Sequence, residues 1–182
     1  MSFFDVMQAY FRGEKLEALC FILPIGLLLL AFGAVALKAE RGGYAWGIAI
    51  PCFLFGLVLV GTGIGVGGRT SGQVAELERG FAKAPAAMVA KELPRMEKVN
   101  SNFRTTFIAF GVLAVLGLAL HYLVAGWGRG LGAVLLLVGA IGLLIDGFAE
   151  RRALPYTAAL QKLAAQHTGA NAASHQPPPQ VD

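Results

Sequence analysis

The stretch Tyr44–Val66, YAWGIAIPCFLFGLVLVGTGIGV, contains no charged residue. About 20 apolar residues in a helix cross the hydrocarbon core of a bilayer, so this run is long enough to span. Its glycine-rich end offers a rival reading. Gly63, Gly65 and Gly68 satisfy GxGxxG, and Gly63 to Thr70 reads GxxxxG-Arg-Thr, the spacing of a phosphate loop with Arg69 in place of lysine. Both nucleotide readings need a strand, then a phosphate-cradling turn, then a helix. Pro51 argues against an interior strand, and arginine lacks the compact ammonium a phosphate loop uses. The span prevails, and neither a nucleotide nor another cofactor is expected.

Three further runs are predominantly apolar and about as long: Leu16–Leu37, Thr105–Val124 and Leu131–Ala149. Apolar residues make up 56% of the chain and charged residues only 14%, against about a quarter charged in soluble domains. The expected fold is all-α, an integral membrane four-helix bundle of two helical hairpins with short amphipathic cytoplasmic helices. Residues 1–15 form an interfacial amphipathic helix, 16–66 the first hairpin, 67–104 an amphipathic loop, 105–149 the second hairpin, 150–167 a last amphipathic helix and 168–182 a disordered tail.

Lysine and arginine orient the chain. If both termini share a side with the middle loop, the other side holds only Lys38, Arg41 and Arg129 of the 15 basic residues. Basic residues collect in cytoplasmic loops, so the termini and middle loop are expected in the cytoplasm and the spans in the cytoplasmic (inner) membrane. That bias also accounts for the net charge of +4, and nucleic acid is not an expected partner. The run ending at Ala34-Val35-Ala36 is longer than the 7–15 residues of a signal-peptide core, so the first helix is expected to be retained.

At the start, Phe3, Phe4, Met7, Tyr10 and Phe11 share one helical face, and Ser2 with Asp5 fits a capping box. Such an aromatic face is suited to lying in the membrane interface. In the middle loop, Val74, Leu77 and Phe81 form one stripe, Met88 and Val89 begin another, and Met96 and Val99 lead towards the third span. Pro85 and Pro94 fit the first turns of successive short helices. Glu76 with Arg79 and Glu92 with Arg95 read as solvated i,i+3 pairs. A shift of 78 residues aligns Ala31-Phe32-Gly33 with Ala109-Phe110-Gly111, a weak trace of a parallel hairpin repeat.

The glycines at Gly61, Gly63, Gly65 and Gly67 read as a small-residue face for close helix packing, with Gly67 and Gly68 ending the second helix. Pro24 and Pro51 are expected to kink their spans. Ionisable residues inside a membrane are functional candidates. Asp146 is one, about a turn from the cytoplasmic end, where Arg104, Arg69, Lys15 or Arg151 could pair with it, Arg104 being the nominated partner. His121 with Trp127, and Trp46 with Tyr44, read as interfacial anchors. No His or Cys cluster has metal-ligand spacing. Cys20 and Cys52 lie at different depths, too far apart for a disulfide.

These observations lead to a non-enzymatic membrane protein that works through contacts with the bilayer and with a membrane protein partner or itself, as an accessory subunit, assembly factor or protective partner against a membrane-acting protein. The contact surfaces expected are the Gly61–Gly67 face and the stripe Val74, Leu77, Phe81, Met88, Val89, Met96 and Val99. The alternative is a small homo-oligomeric transporter or channel with Asp146 in its pathway.

Overall fold

A computed structural model describes residues 2–174, with side chains to His167. Its elements are α1 (Phe3–Glu17), a π-helical segment (Ala18–Ile22), α2 (Leu23–Ala39), α3 (Gly43–Lys83), α4 (Pro85–Leu123) and α5 (Trp127–Ser174). Four of the helical stretches are long and apolar enough to cross a membrane, and the chain is a multi-pass membrane protein. The fold is the expected all-α bundle. Its two most extensive contacts are α2 with α3 and α4 with α5, the two hairpins. The helices lie in the order α2, α3, α5, α4, because α3 also packs on α5 while α2 and α5 make no substantial contact.

Helix α1 starts as expected. The Ser2 hydroxyl accepts from the Asp5 amide at 3.2 Å, and Asp5 Oδ2 accepts from the Ser2 amide at 2.8 Å. That second bond holds the exposed Asp5 carboxyl below its ordinary value. The helix does not present its aromatic face to lipid, however. Met7, Tyr10 and Phe11 are buried among residues of α4 and α5, because those helices supply a packed apolar wall that an interface lacks. At its end, α1 runs directly into the π segment, where the Leu23 amide donates to the Ala18 carbonyl. The extra residue in that turn falls just before Pro24, which has no amide to give the helical ladder.

The middle loop also differs from the expectation of several short helices. Helix α3 continues unbroken through Pro51, Gly67 and Gly68 to Lys83, and after one break at Ala84, α4 continues through Pro94 to Leu123. Glycine and proline lower helix propensity by about 1 and 3 kcal/mol, but packing overrides them: apolar residues on both sides of Pro94 enter one core. Helix α5 likewise runs through Pro155 to Ser174, past the expected end of order at residue 167. The part of the expected disordered tail beyond Ser174 lies outside the described residues. The only positive φ among them belongs to Gly126, at +56°, in the α4–α5 turn.

Two cores result. One lies within the spans, around Leu29, Ile48, Cys52, Val134 and Val138. The other forms a cap at one end of the bundle from α1 and the extensions of α3, α4 and α5. It centres on Met96, Tyr156 and Leu160, none of them exposed. Tyr10 stacks on Tyr156 at 4.9 Å between ring centroids, and Phe3 stacks on Phe81 at 5.3 Å.

Candidate functional site

The four nominated glycines do not form one face. Successive helical residues turn by about 100°, so positions two apart lie on nearly opposite sides of α3. Gly63 and Gly67 are buried against the π segment and the start of α2. A Cβ on Gly63 would stand 2.8 Å from Leu23 Cβ and 3.0 Å from the Ala18 carbonyl oxygen, and one on Gly67 would stand 2.6 Å from Leu19 Cδ2. Gly56 extends the same inner face, where its Cβ would meet Leu30 at 2.8 Å and the Gly26 carbonyl oxygen at 3.0 Å. These glycines are consumed in building the first hairpin.

Gly61 and Gly65 point the other way. They are exposed, and a Cβ at either would meet nothing within 4 Å. Gly68 and Gly72 are exposed and open in the same sense, and their spacing places all four on one line along the helix. The line is about 16 Å long at 1.5 Å per residue. It is flanked by Leu57, Val58 and Ile64, each more than half exposed.

The nominated cap surface is not a free surface. Met88, Val89 and Met96 are buried, and Val74, Leu77, Phe81 and Val99 pack against the same core. Their stripes had a partner within the chain, because α1 and α5 fold over them. Between the α3 and α4 extensions lies a cleft of about 460 Å³ that Leu77, Ala84, Ala87 and Met88 line together with Glu76, Lys83 and Lys91.

The cap core holds a polar network in place of the expected solvated pair. Glu92 is 6% exposed. It receives Arg95 Nε at 2.8 Å and Nη2 as a fork, and the Tyr156 hydroxyl donates to it at 3.1 Å. The bond to Glu92 raises the Arg95 guanidinium above its ordinary value. Burial, reinforced by Glu92, raises the Tyr156 phenol. Burial likewise raises Tyr10, and Glu14 adds to it. Glu76 does not pair with Arg79; it lies 3.6 Å from Lys91 in an exposed pair, while Arg79 Nε donates to the Ala75 carbonyl.

Where cap meets spans, the expected Asp146–Arg104 pair is absent among the described ion pairs. Arg104 is exposed, and Asp146 Oδ2 is buried without a hydrogen-bond partner. Other charged residues near that depth pair among themselves. Arg152 crosses α1 over Gly13, whose missing side chain leaves room for it, and pairs with Glu17. Arg69 turns to Glu14 at 3.7 Å, whose carboxyl is raised by burial in spite of that neighbour. Lys15 donates to the Ser71 hydroxyl at 3.1 Å. Glu17 is the charged residue that depth reasoning passes over, since it is the second residue of the run Leu16–Leu37. Its own position inside an apolar run was the available signal.

At the opposite end, His121 Nδ1 lies 3.3 Å from the Arg129 carbonyl oxygen and its ring meets Tyr122 edge-on. Trp46 and Trp127 are both about half exposed near that end, as anchoring requires. Cys20 and Cys52 are both free thiols. Compared with protein-family models, curated proteins and solved structures, the chain matches none.

Proposed function

We propose that this chain is a non-enzymatic protein of the cytoplasmic membrane, with its cap and both termini in the cytoplasm, that works by holding a membrane protein partner against the outer face of α3. The partner's role places the chain as an accessory subunit, an assembly factor or a protective partner against a membrane-acting protein. One observation carries the reading: Gly61, Gly65, Gly68 and Gly72 form an open line on the side of α3 facing away from α2. Each glycine costs a helix about 1 kcal/mol relative to alanine. On the inner face that cost is offset by close backbone approach, whereas the outer glycines touch nothing in this chain. Small residues in line are what a second transmembrane helix needs to approach closely.

The test is photocrosslinking in native membranes from a reactive residue replacing Ile64, beside the line, and from one replacing Val115 on α4. A discrete adduct from position 64 that disappears with Gly65→Leu supports the reading. Equal adducts at both positions, or an adduct indifferent to Gly65→Leu, refute it.

A second reading, the small homo-oligomeric transporter or channel, draws on the buried, unpaired Oδ2 of Asp146, since intramembrane carboxylates are functional by default. Flux through liposomes that Asp146→Asn abolishes favours it; an adduct from position 64 consisting of the chain itself points the same way.

A further inference from the structure

The seam between α2 and α5 stays open because both helices pack on α3 and make no substantial contact with each other. Its cap-side part is a groove of about 490 Å³. Leu16 at the end of α1, Phe21 of the π segment and Ile25 of α2 form one wall, and Leu144, Ile145 and Phe148 of α5 form the other. Beyond Ile25 and Ile141 it runs on into a second hollow of about 350 Å³ between Leu28 and Leu137. Leu16, Phe21, Leu144 and Phe148 are each half exposed or more, so the groove opens sideways along its length.

One end of the groove is charged. Arg151 and Arg152 line it together with Glu17. Arg152 is committed to Glu17, which leaves that pair neutral. Arg151 is exposed and has no hydrogen bond or ion pair among the described residues. The other acidic groups close by in sequence, Asp146 and Glu150, do not line the groove. The mouth therefore presents one unneutralised guanidinium just past the end of the fourth span.

The charged, cap-side part of the groove, from Ile141 to Arg152, is about 16 Å long at 1.5 Å per residue, roughly half of the 30 Å hydrocarbon core and so the depth of one leaflet. With the hollow beyond it, to Leu137, the seam reaches about 22 Å, short of the full thickness. A helix of a partner protein would need the full thickness with a close-packing face, whereas one acyl chain needs this length, apolar walls and a cation at headgroup level. We infer that the α2–α5 groove is a binding site for an anionic phospholipid, with an acyl chain along Phe21, Ile25 and Ile145 and the phosphate on Arg151. The guanidinium suits it, because its planar fork matches two phosphate oxygens.

The experiment uses the full chain carrying Trp46→Phe and Trp127→Phe, reconstituted in phosphatidylcholine with a minor fraction of brominated phosphatidylglycerol. A tryptophan reporter is introduced by Phe148→Trp in the groove or, as control, by Ile108→Trp at an exposed position of α4. Quenching of the groove reporter should exceed that expected from the lipid fraction by about five-fold, the worth of one basic residue beside an anionic leaflet. The control should follow the lipid fraction. Adding Arg151→Gln, at an exposed position, should bring the groove reporter down to the control. Equal quenching at the two reporters overturns the inference, as does a preference that survives Arg151→Gln. A groove reporter that no brominated lipid reaches overturns it too, and assigns the groove to protein.

Discussion

Replacing Arg95 by methionine should destabilise the cap by leaving the Glu92 carboxylate buried with only the Tyr156 hydroxyl beside it. Removing one partner of a fully buried ion pair costs about 3–5 kcal/mol. The Glu92 side chain is 8% exposed but that of Arg95 is 41% exposed, so water reaches one side of the pair and the cost falls to about 2 kcal/mol. Glu92→Gln keeps an acceptor for Tyr156 and loses only the charged bonds, for about 1 kcal/mol. The informative variant is the double one. With Glu92→Gln present, Arg95→Met no longer strands a charge, so the pair of substitutions should cost less than Arg95→Met alone. The assay is thermal unfolding in mild detergent, followed by the near-ultraviolet dichroism of the tyrosines stacked in the cap. About 2 kcal/mol corresponds to roughly 4–8 °C for a chain of this size. A double variant as unstable as the sum of the two singles would refute the reasoning, because it would mean that Glu92 does not depend on Arg95 for its burial.

The two sides of α3 should respond oppositely to added bulk: Gly63→Leu, which collides with Leu23 and the Ala18 carbonyl, should cost about 1–3 kcal/mol as an overpacked contact. Gly61→Ala, which meets nothing within 4 Å, should raise helix stability by up to about 1 kcal/mol; thermal unfolding in detergent reads both. Alkali should loosen the cap. Burial raises the phenols of Tyr10 and Tyr156 above their ordinary value of 10.0, so their contribution is fully present below pH 10 and is lost as pH rises through the folded values. Tyr156→Phe should therefore flatten the fall in near-ultraviolet dichroism above pH 10. The proposed orientation requires that a membrane-impermeant thiol reagent label Gly43→Cys, and not Ser71→Cys, in intact cells; the reverse pattern would invert the cap.

The spans and hairpins were legible because a bilayer demands long apolar runs, and Tyr44–Val66 alone excludes a strand. The capping box at Ser2 and Asp5 was legible for the same kind of reason, being local. What the sequence did not reveal was continuity. Pro94 and the Gly67–Gly68 pair are helix-ending signals only when nothing outside the helix opposes them. Here Met88, Val89 and Met96 on one side and Val74 and Phe81 on the other are pinned in a shared core. The same tertiary pairing turned a presumed outer surface into an inner one. Long-range charge choice was also out of reach: Asp146 and Arg104 share a depth, but only three dimensions show that Arg152 bends over Gly13 to Glu17 instead.

The contrast between the two cores bears on the proposed contact. In the cap, which faces water, large side chains such as Tyr156, Phe11 and Met96 do the packing, as expected where water drives apolar surface inward. Within the spans lipid offers no such drive, and helices meet through glycine. The contacts there are reciprocal: a Cβ on Gly117 would stand 2.7 Å from the Gly132 carbonyl oxygen and one on Gly132 would stand 2.6 Å from that of Gly117, while Gly26 and Gly56 face each other at 2.9 and 3.0 Å by the same measure. Glycine between two of the chain's own helices is thus matched to a close neighbour, backbone at Gly26, Gly56, Gly117 and Gly132 and a side chain at Gly67 and Gly142. Like Gly111 on α4, Gly61 and Gly65 have no such neighbour within the chain. Supplying a second helix along the outer face of α3 gives them the neighbour that the inner glycines already have, and that is why bulk at Gly65 should abolish an adduct while leaving the fold intact.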